Sequence, residues 1–160
     1  MHWIWIIPVV IIGLVLLRWL WRQLRIRRFH VVTRGVLYRG GQPTLMALWL
    51  LARVFKVRLV INLREDFKEN EKLFGMDEVR ILIPPRTNLP TLEQCQEFLG
   101  LVRDDSNRPV LAHCKVGANR TGFMIALWRV IEEGWPIDDA LSEMARVRGG
   151  APPEATQAHF

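Results

Sequence analysis

Residues 109–122 read PVLAHCKVGANRTG, a strand pattern and a helix pattern joined by a loop. Pro109 to Ala112 is a short apolar run suited to a buried strand. From Thr121 to Glu133 apolar residues recur at helical spacing until Gly134 ends the pattern. The loop between them joins a strand to a helix N-terminus. There, successive backbone N–H groups can turn inward around a small cavity, and the helix dipole adds partial positive charge. Gly117 permits the curvature that a Cβ would obstruct. Arg120 offers a planar fork matched to two phosphate oxygens. Lys115, Val116, Gly117, Ala118, Asn119 and Arg120 therefore form an anion cradle, and Cys114 at its floor is biased toward thiolate, the form that attacks phosphorus.

On either side the chain alternates strand and helix. Val31-Val32 and Val36 to Tyr38 read as short strands with Arg34-Gly35 turning between them. Arg58 to Leu63 and Val79 to Ile83 read as further strands, the latter stopped by Pro84-Pro85. Helices are expected from Thr44 to about Phe55, from Thr91 onward, and from Pro136 to Gly149-Gly150. Thr91 and Gln94 make a capping box. Cys95 falls on the apolar face of that helix with Leu92, Phe98, Leu99 and Val102, so it reads as a core thiol. Glu65 to Met76 is polar and irregular, a loop with a short helix, and residues 151–160 read as a loose tail. The alternation predicts an α/β domain over residues 29–150, a central sheet flanked by helices, with its site just beyond a strand's carboxyl end.

The first 28 residues are of a different kind. Trp3 to Leu17 carries no charge, and with Arg18 snorkelling the apolar run extends through Trp21. That is about twenty residues, the length a helix needs to cross roughly 30 Å of hydrocarbon. Trp residues at both ends suit the interfacial belt, and Pro8 and Gly13 are tolerated in a spanning helix. The alternatives are a core helix or a signal peptide, but the basic n-region and small-residue cleavage site of a signal peptide are not present. Five of the 22 Lys and Arg residues (Arg18, Arg22, Arg25, Arg27, Arg28) lie in this segment, which has no Asp or Glu. The remaining 17 face 16 acidic residues, so the domain is near neutral and no nucleic-acid partner is expected. The positive-inside rule puts the domain in the cytoplasm, with the arginines against anionic headgroups. Two cysteines in that compartment are expected to stay reduced, and no Cys/His spacing suits a metal, so neither metal nor cofactor is expected.

The segment HCKVGANRTG resembles the signature loop of the protein tyrosine and dual-specificity phosphatases: His-Cys, five residues, Arg, Ser/Thr, Gly. Upstream, LYRGGQP at residues 37–43 resembles the YRSxQP-type segment of small bacterial dual-specificity-like phosphatases, and VINLR at residues 60–64 resembles one of their strands. The resemblance implies a phosphocysteine intermediate on Cys114, phosphoryl oxygens bound by Arg120, a Thr121 hydroxyl on the sulfur, and a loop oriented by His113. It implies a phosphorylated protein or a membrane phospholipid as substrate. Lys115 matches a basic residue that follows the cysteine in lipid-directed members. One part of the pattern is missing: these enzymes place an Asp about thirty residues before the cysteine as general acid. Pro84 to Pro90 has no carboxylate here. Asp66, with Glu65 and Glu69 beside it, is the candidate acid. Without one, the alternative is a phosphate-binding interaction module at the membrane.

Overall fold

The computed structural model describes residues 3–65, 74–85, 87 and 89–150, with side chains from Ile7 onward. Helix α1 (Trp3–Leu24) precedes a five-stranded sheet and four further helices: β1 (His30–Thr33), β2 (Leu37–Gly41), α2 (Leu45–Arg53), β3 (Leu59–Asn62), β4 (Asp77–Arg80), α3 (Leu92–Arg103), β5 (Val110–Cys114), α4 (Asn119–Ile131) and α5 (Ile137–Arg148). The strand order is β1-β2-β5-β3-β4. The β1–β2 hairpin is antiparallel and all other pairs are parallel. β5 lies at the centre, so its carboxyl end, Cys114, opens at the middle of the sheet.

Strand periodicity divides the core between the two faces. Leu37, Leu59, Ile61, Val110 and Ala112 pack with Phe98, Val102, Phe123 and Trp128 of α3 and α4. Their strand neighbours Tyr38, Val60 and Leu111 pack on the other face with Ala47, Leu48 and Leu51 of α2, and with Ile26. Both faces are covered, which is why these strands read as continuous apolar runs. The α3 capping box forms as expected, Thr91 and Gln94 exchanging side-chain and backbone hydrogen bonds.

Two expectations need correction. The strand expected over Val79 to Ile83 lies earlier, at Asp77–Arg80. β4 is an edge strand paired only with β3, so charged residues are tolerated there. The Ile81 N–H still donates to the Asn62 carbonyl at 3.1 Å, and Ile81 and Ile83 are buried in the core with residues of α3. Cys95 is half-buried against the core's edge rather than inside it. The segment 66–73 and the tail 151–160 lie outside the described residues.

α5 is held on α4 by close approach and by charge. A Cβ on Gly122 would meet the Met144 side chain at 2.9 Å. Arg129 donates to both Glu143 oxygens at 2.9 and 3.0 Å and to Glu133 at 2.5 Å, and it stacks 4.3 Å from the Trp135 ring centroid. This bidentate clamp fixes the helix that carries Arg148.

Residues 25–28 are part of the domain surface. The Gly41 N–H donates to the Arg27 carbonyl at 2.7 Å, the Thr44 hydroxyl donates to the Gln23 carbonyl, and Ile26 is buried. By contrast, the described side chains of α1 from Ile7 to Trp21 are exposed. Ile7–Leu24 is long and apolar enough, by length and composition, to cross a membrane.

Candidate active site

The β5 ladder carries His113 and Cys114 to the sheet's carboxyl edge. There the Leu63 N–H donates to the His113 carbonyl at 2.8 Å and extends the β3 pairing by one step. His113 is fully buried. Beyond Cys114 the chain turns back over the end of β2. Gly117 takes φ +74°, and a Cβ there would lie 2.6–2.7 Å from the backbone of Gly40 and Gly41. A Cβ on Gly41 would in turn meet the Val116 carbonyl at 3.0 Å. Gly41 and Gly117 thus let two stretches of backbone touch where side chains would hold them apart.

The upstream segments meet beneath this loop. The Gln42 N–H donates to the Lys115 carbonyl at 3.3 Å, and Arg64 donates to the Gln42 side-chain oxygen at 2.7 Å. The Asn62 side chain accepts from the Arg64 N–H at 3.1 Å. Arg39, only 2% exposed, donates to the Gly117 carbonyl at 2.9 Å. Its Nε and Nη1 are buried without hydrogen-bond partners among the described residues. Burial lowers the Arg39 pKa to about 10, against the favourable charges of Glu143 and Cys114.

Cys114 is 3% exposed, and its sulfur accepts from the Gly117 N–H at 3.2 Å. Burial by itself would push the thiol up. Here the Thr121 hydroxyl and the N–H groups of Thr121, Val116 and Gly117 outweigh it and hold Cys114 below the usual thiol range. The Thr121 oxygen is buried and makes no full hydrogen bond among the described residues, but it lies close enough to the thiol to favour its charged form. Arg120 is oriented before any ligand arrives: its Nη1 donates to the carbonyls of Leu63 and Ile83 at 3.2 and 3.3 Å. α4 begins with Ala118 at its N-cap, which supplies no side-chain acceptor, so the N–H groups of Asn119 and Arg120 in its first turn remain for an anion.

These groups enclose a cavity of about 300 Å³ lined by Cys114, Val116, Ala118, Asn119, Arg120, Arg28 and Arg148. Lys115 is exposed and does not line it, and Gly117 shapes the loop from behind. A larger depression of about 690 Å³ beside Trp135 and Arg146 holds no thiol and none of the loop, so it is not the reactive site. No described carboxylate lines the 300 Å³ cavity. Glu65 is exposed, while Asp66 and Glu69 lie outside the described residues. Asp104 caps the end of α3, and Asp138 and Asp139 occupy the first turn of α5.

Sequence reasoning missed Arg28, Arg39 and Arg148. The consecutive glycines after Tyr38-Arg39 were the available signal, because glycine inside a strand marks close backbone approach.

The family described as "DSP-PTPase phosphatase fused to NAD+ Kinase" matches residues 27–158. The chain belongs to this family of cysteine-based phosphatases. The chain is 34% identical over 112 residues to the dual specificity protein phosphatase TpbA of Pseudomonas aeruginosa, covering 68% of this chain and 49% of TpbA. It is 26% identical over 130 residues to the human phosphatidylglycerophosphatase and protein-tyrosine phosphatase 1, covering 75% of this chain and 64% of the relative. It therefore spans about half the length of TpbA. The catalytic core of the PP-IP phosphatase SIW14 from S. cerevisiae shares the fold, with a TM-score of 0.75 at 22% identity over 83% of each chain. Tk-PTP in its active form aligns at a TM-score of 0.70 and 26% identity, over 82% of this chain and 92% of that one.

Proposed function

We propose that this chain is a membrane-anchored phosphomonoesterase working through phospho-Cys114. The observation that carries the reading is the pairing of a buried sulfur, held toward thiolate by loop donors, with a guanidinium already fixed beside it. The thiolate forms the S–P bond as the bond from phosphorus to the leaving oxygen breaks. Arg120 and the loop N–H groups take up the charge on the phosphoryl oxygens. Water then attacks phosphorus, the S–P bond breaks toward Cys114, and inorganic phosphate leaves. Thr121 stabilises the departing sulfur, and His113 supports the loop from the strand below. Asp66 is the proposed source of the leaving-group proton.

The same reading places α1 across a bilayer. Each large apolar side chain left in water forfeits about 1.5–3 kcal/mol, and α1 exposes more than ten of them, so lipid is the solvent that suits it. The arginines that follow support a cytoplasmic domain by the positive-inside rule. Residues 1–28 are then anchor and juxtamembrane segment, and 29–150 the phosphatase domain. Substrates are phosphoproteins or phospholipids, in keeping with the names of TpbA and the human relative. A second reading, a phosphate-binding module of negligible turnover, is favoured by the lack of a carboxylate among the described residues lining the cavity.

The test is release of p-nitrophenol from p-nitrophenyl phosphate by the full chain in neutral detergent with EDTA, beside Cys114→Ser. Activity that survives EDTA and vanishes in the variant supports the enzyme. A folded chain that binds phosphate but releases no product favours the module.

A further inference from the structure

Arg39 is not one of the described residues lining the catalytic cavity, yet it touches the loop that forms it. The β2–β5 register sets Arg39 beside Ala112, Gly40 beside His113 and Gly41 beside Cys114. Strand alternation places Arg39 on the sheet face of Leu37, the face that α3 and α4 cover. From there its Nη2 donates to the Gly117 carbonyl at 2.9 Å, with the residue only 2% exposed. The guanidinium keeps its charge at neutral pH, since its pKa is about 10. Holding one carbonyl needs no buried cation, and burying one is costly, so packing alone does not account for it.

The bond acts on the far side of the peptide it touches. In a planar trans peptide the C=O and the next residue's N–H point in opposite directions. Arg39 draws the Gly117 carbonyl toward the sheet, so the Ala118 N–H points the other way, into the cavity that Ala118 lines. The local dihedrals agree. Gly117 has φ +74° and Ala118 lies in the right-handed region, a sequence that gathers successive N–H groups on one concave side. A cation on the carbonyl also polarises the amide, which makes its N–H a stronger donor. The N–H groups of Thr121, Val116 and Gly117, by contrast, are turned to the Cys114 sulfur.

Resting on the phosphatase reading above, we propose that Arg39 is a positioning residue for phosphoryl transfer: it locks the 117–118 peptide so that the Ala118 N–H donates to a phosphoryl oxygen. The sulfur and the phosphoryl group are then served by different peptides of one loop, and Arg39 governs the second.

The experiment follows the Ala118 amide by heteronuclear NMR of the full chain in neutral detergent while tungstate, an unreactive tetrahedral oxyanion, is added. The Ala118 amide proton should move downfield as tungstate binds. Arg39→Met keeps an unbranched stem but removes the donor and the charge. It should weaken tungstate about 10- to 100-fold, remove the Ala118 shift and lower kcat for p-nitrophenyl phosphate in parallel. Arg39→Lys retains a cation and a donor and should recover part of all three. An Ala118 amide that tungstate leaves unmoved in the unsubstituted chain overturns the proposal, whether or not R39M folds. An R39M chain that keeps the shift also overturns it, since only a long-range effect of charge would then remain. Tungstate affinity in R39M within about twofold of the unsubstituted chain does the same, and with a loss of urea stability it would make Arg39 a packing residue. An unsubstituted chain that binds tungstate through Ala118 but releases no p-nitrophenol counts against the phosphatase reading and leaves the role of Arg39 in holding the anion.

Discussion

The two thiols of this chain sit in opposite surroundings. Cys95, on the exposed edge of α3, is half-buried, and that burial pushes its pKa up. Cys114 is more deeply buried, yet its pKa lies below the ordinary value. Burial penalises the charged form at both positions. The loop N–H groups and the Thr121 hydroxyl, which Cys95 lacks, reverse the sign. A reactive cysteine is therefore made by the backbone that curls around it, and depth in the core does not report it.

The largest test of that contrast is Gly117→Ala. Its Cβ would overlap the Gly40 and Gly41 backbone, at a φ that L-residues rarely adopt. The loop must lift, and a displacement of about 1 Å costs on the order of 100-fold in rate. Turnover of p-nitrophenyl phosphate should fall at least that far, and the pH at which iodoacetamide alkylates Cys114 should rise toward that of Cys95.

Thr121→Ala removes one donor to the sulfur. A hydrogen bond to a charged group contributes about 1.5–3 kcal/mol, so a loss of roughly 10- to 100-fold in kcat is expected, with a smaller rise in alkylation pH. Thr121→Ser should restore most of both.

Arg129→Met tests the clamp beneath α5. It leaves Glu143 and Glu133 without their cation, at a cost of about 2–3 kcal/mol in urea unfolding. The cost falls short of a fully buried pair because both carboxylates keep some water.

The smallest effect is expected at Cys95→Ala, with turnover within about twofold of wild type. The two thiols should also separate in stability against pH. The lowered Cys114 pKa stabilises the fold fully only above the unfolded thiol's pKa, and that contribution is lost as pH falls through the lowered folded value. The raised Cys95 pKa acts oppositely, costing stability as pH climbs past the unfolded value. Urea titrations of C114S and C95A at pH 6 and pH 10 should show the two trends with opposite signs.

Much of this frame was legible in the sequence because it depends on neighbours. The Thr91 capping box, the Gly149 stop of α5 and the strand–loop–helix around Cys114 each rest on a few consecutive residues. What was not legible depends on pairing across the chain. β4 moved toward Asp77 because an edge strand tolerates charge, and its edge position follows only from the strand order. Arg39 comes under the loop through the β2–β5 register, and Arg28 meets Val147 and Arg148 from the far end of the chain. The Asp66 assignment falls outside the described residues.

Only five residues, 25–29, separate the last residue of α1 from the first of β1, a reach of no more than about 22 Å even if fully extended. With α1 anchored as proposed, encounter with any phosphate ester resident in the same bilayer is a search in two dimensions. Rate would follow the mole fraction of ester among the lipids. Diluting the vesicles in buffer would leave turnover per enzyme unchanged, whereas diluting the ester with neutral lipid at fixed bulk amount would lower it.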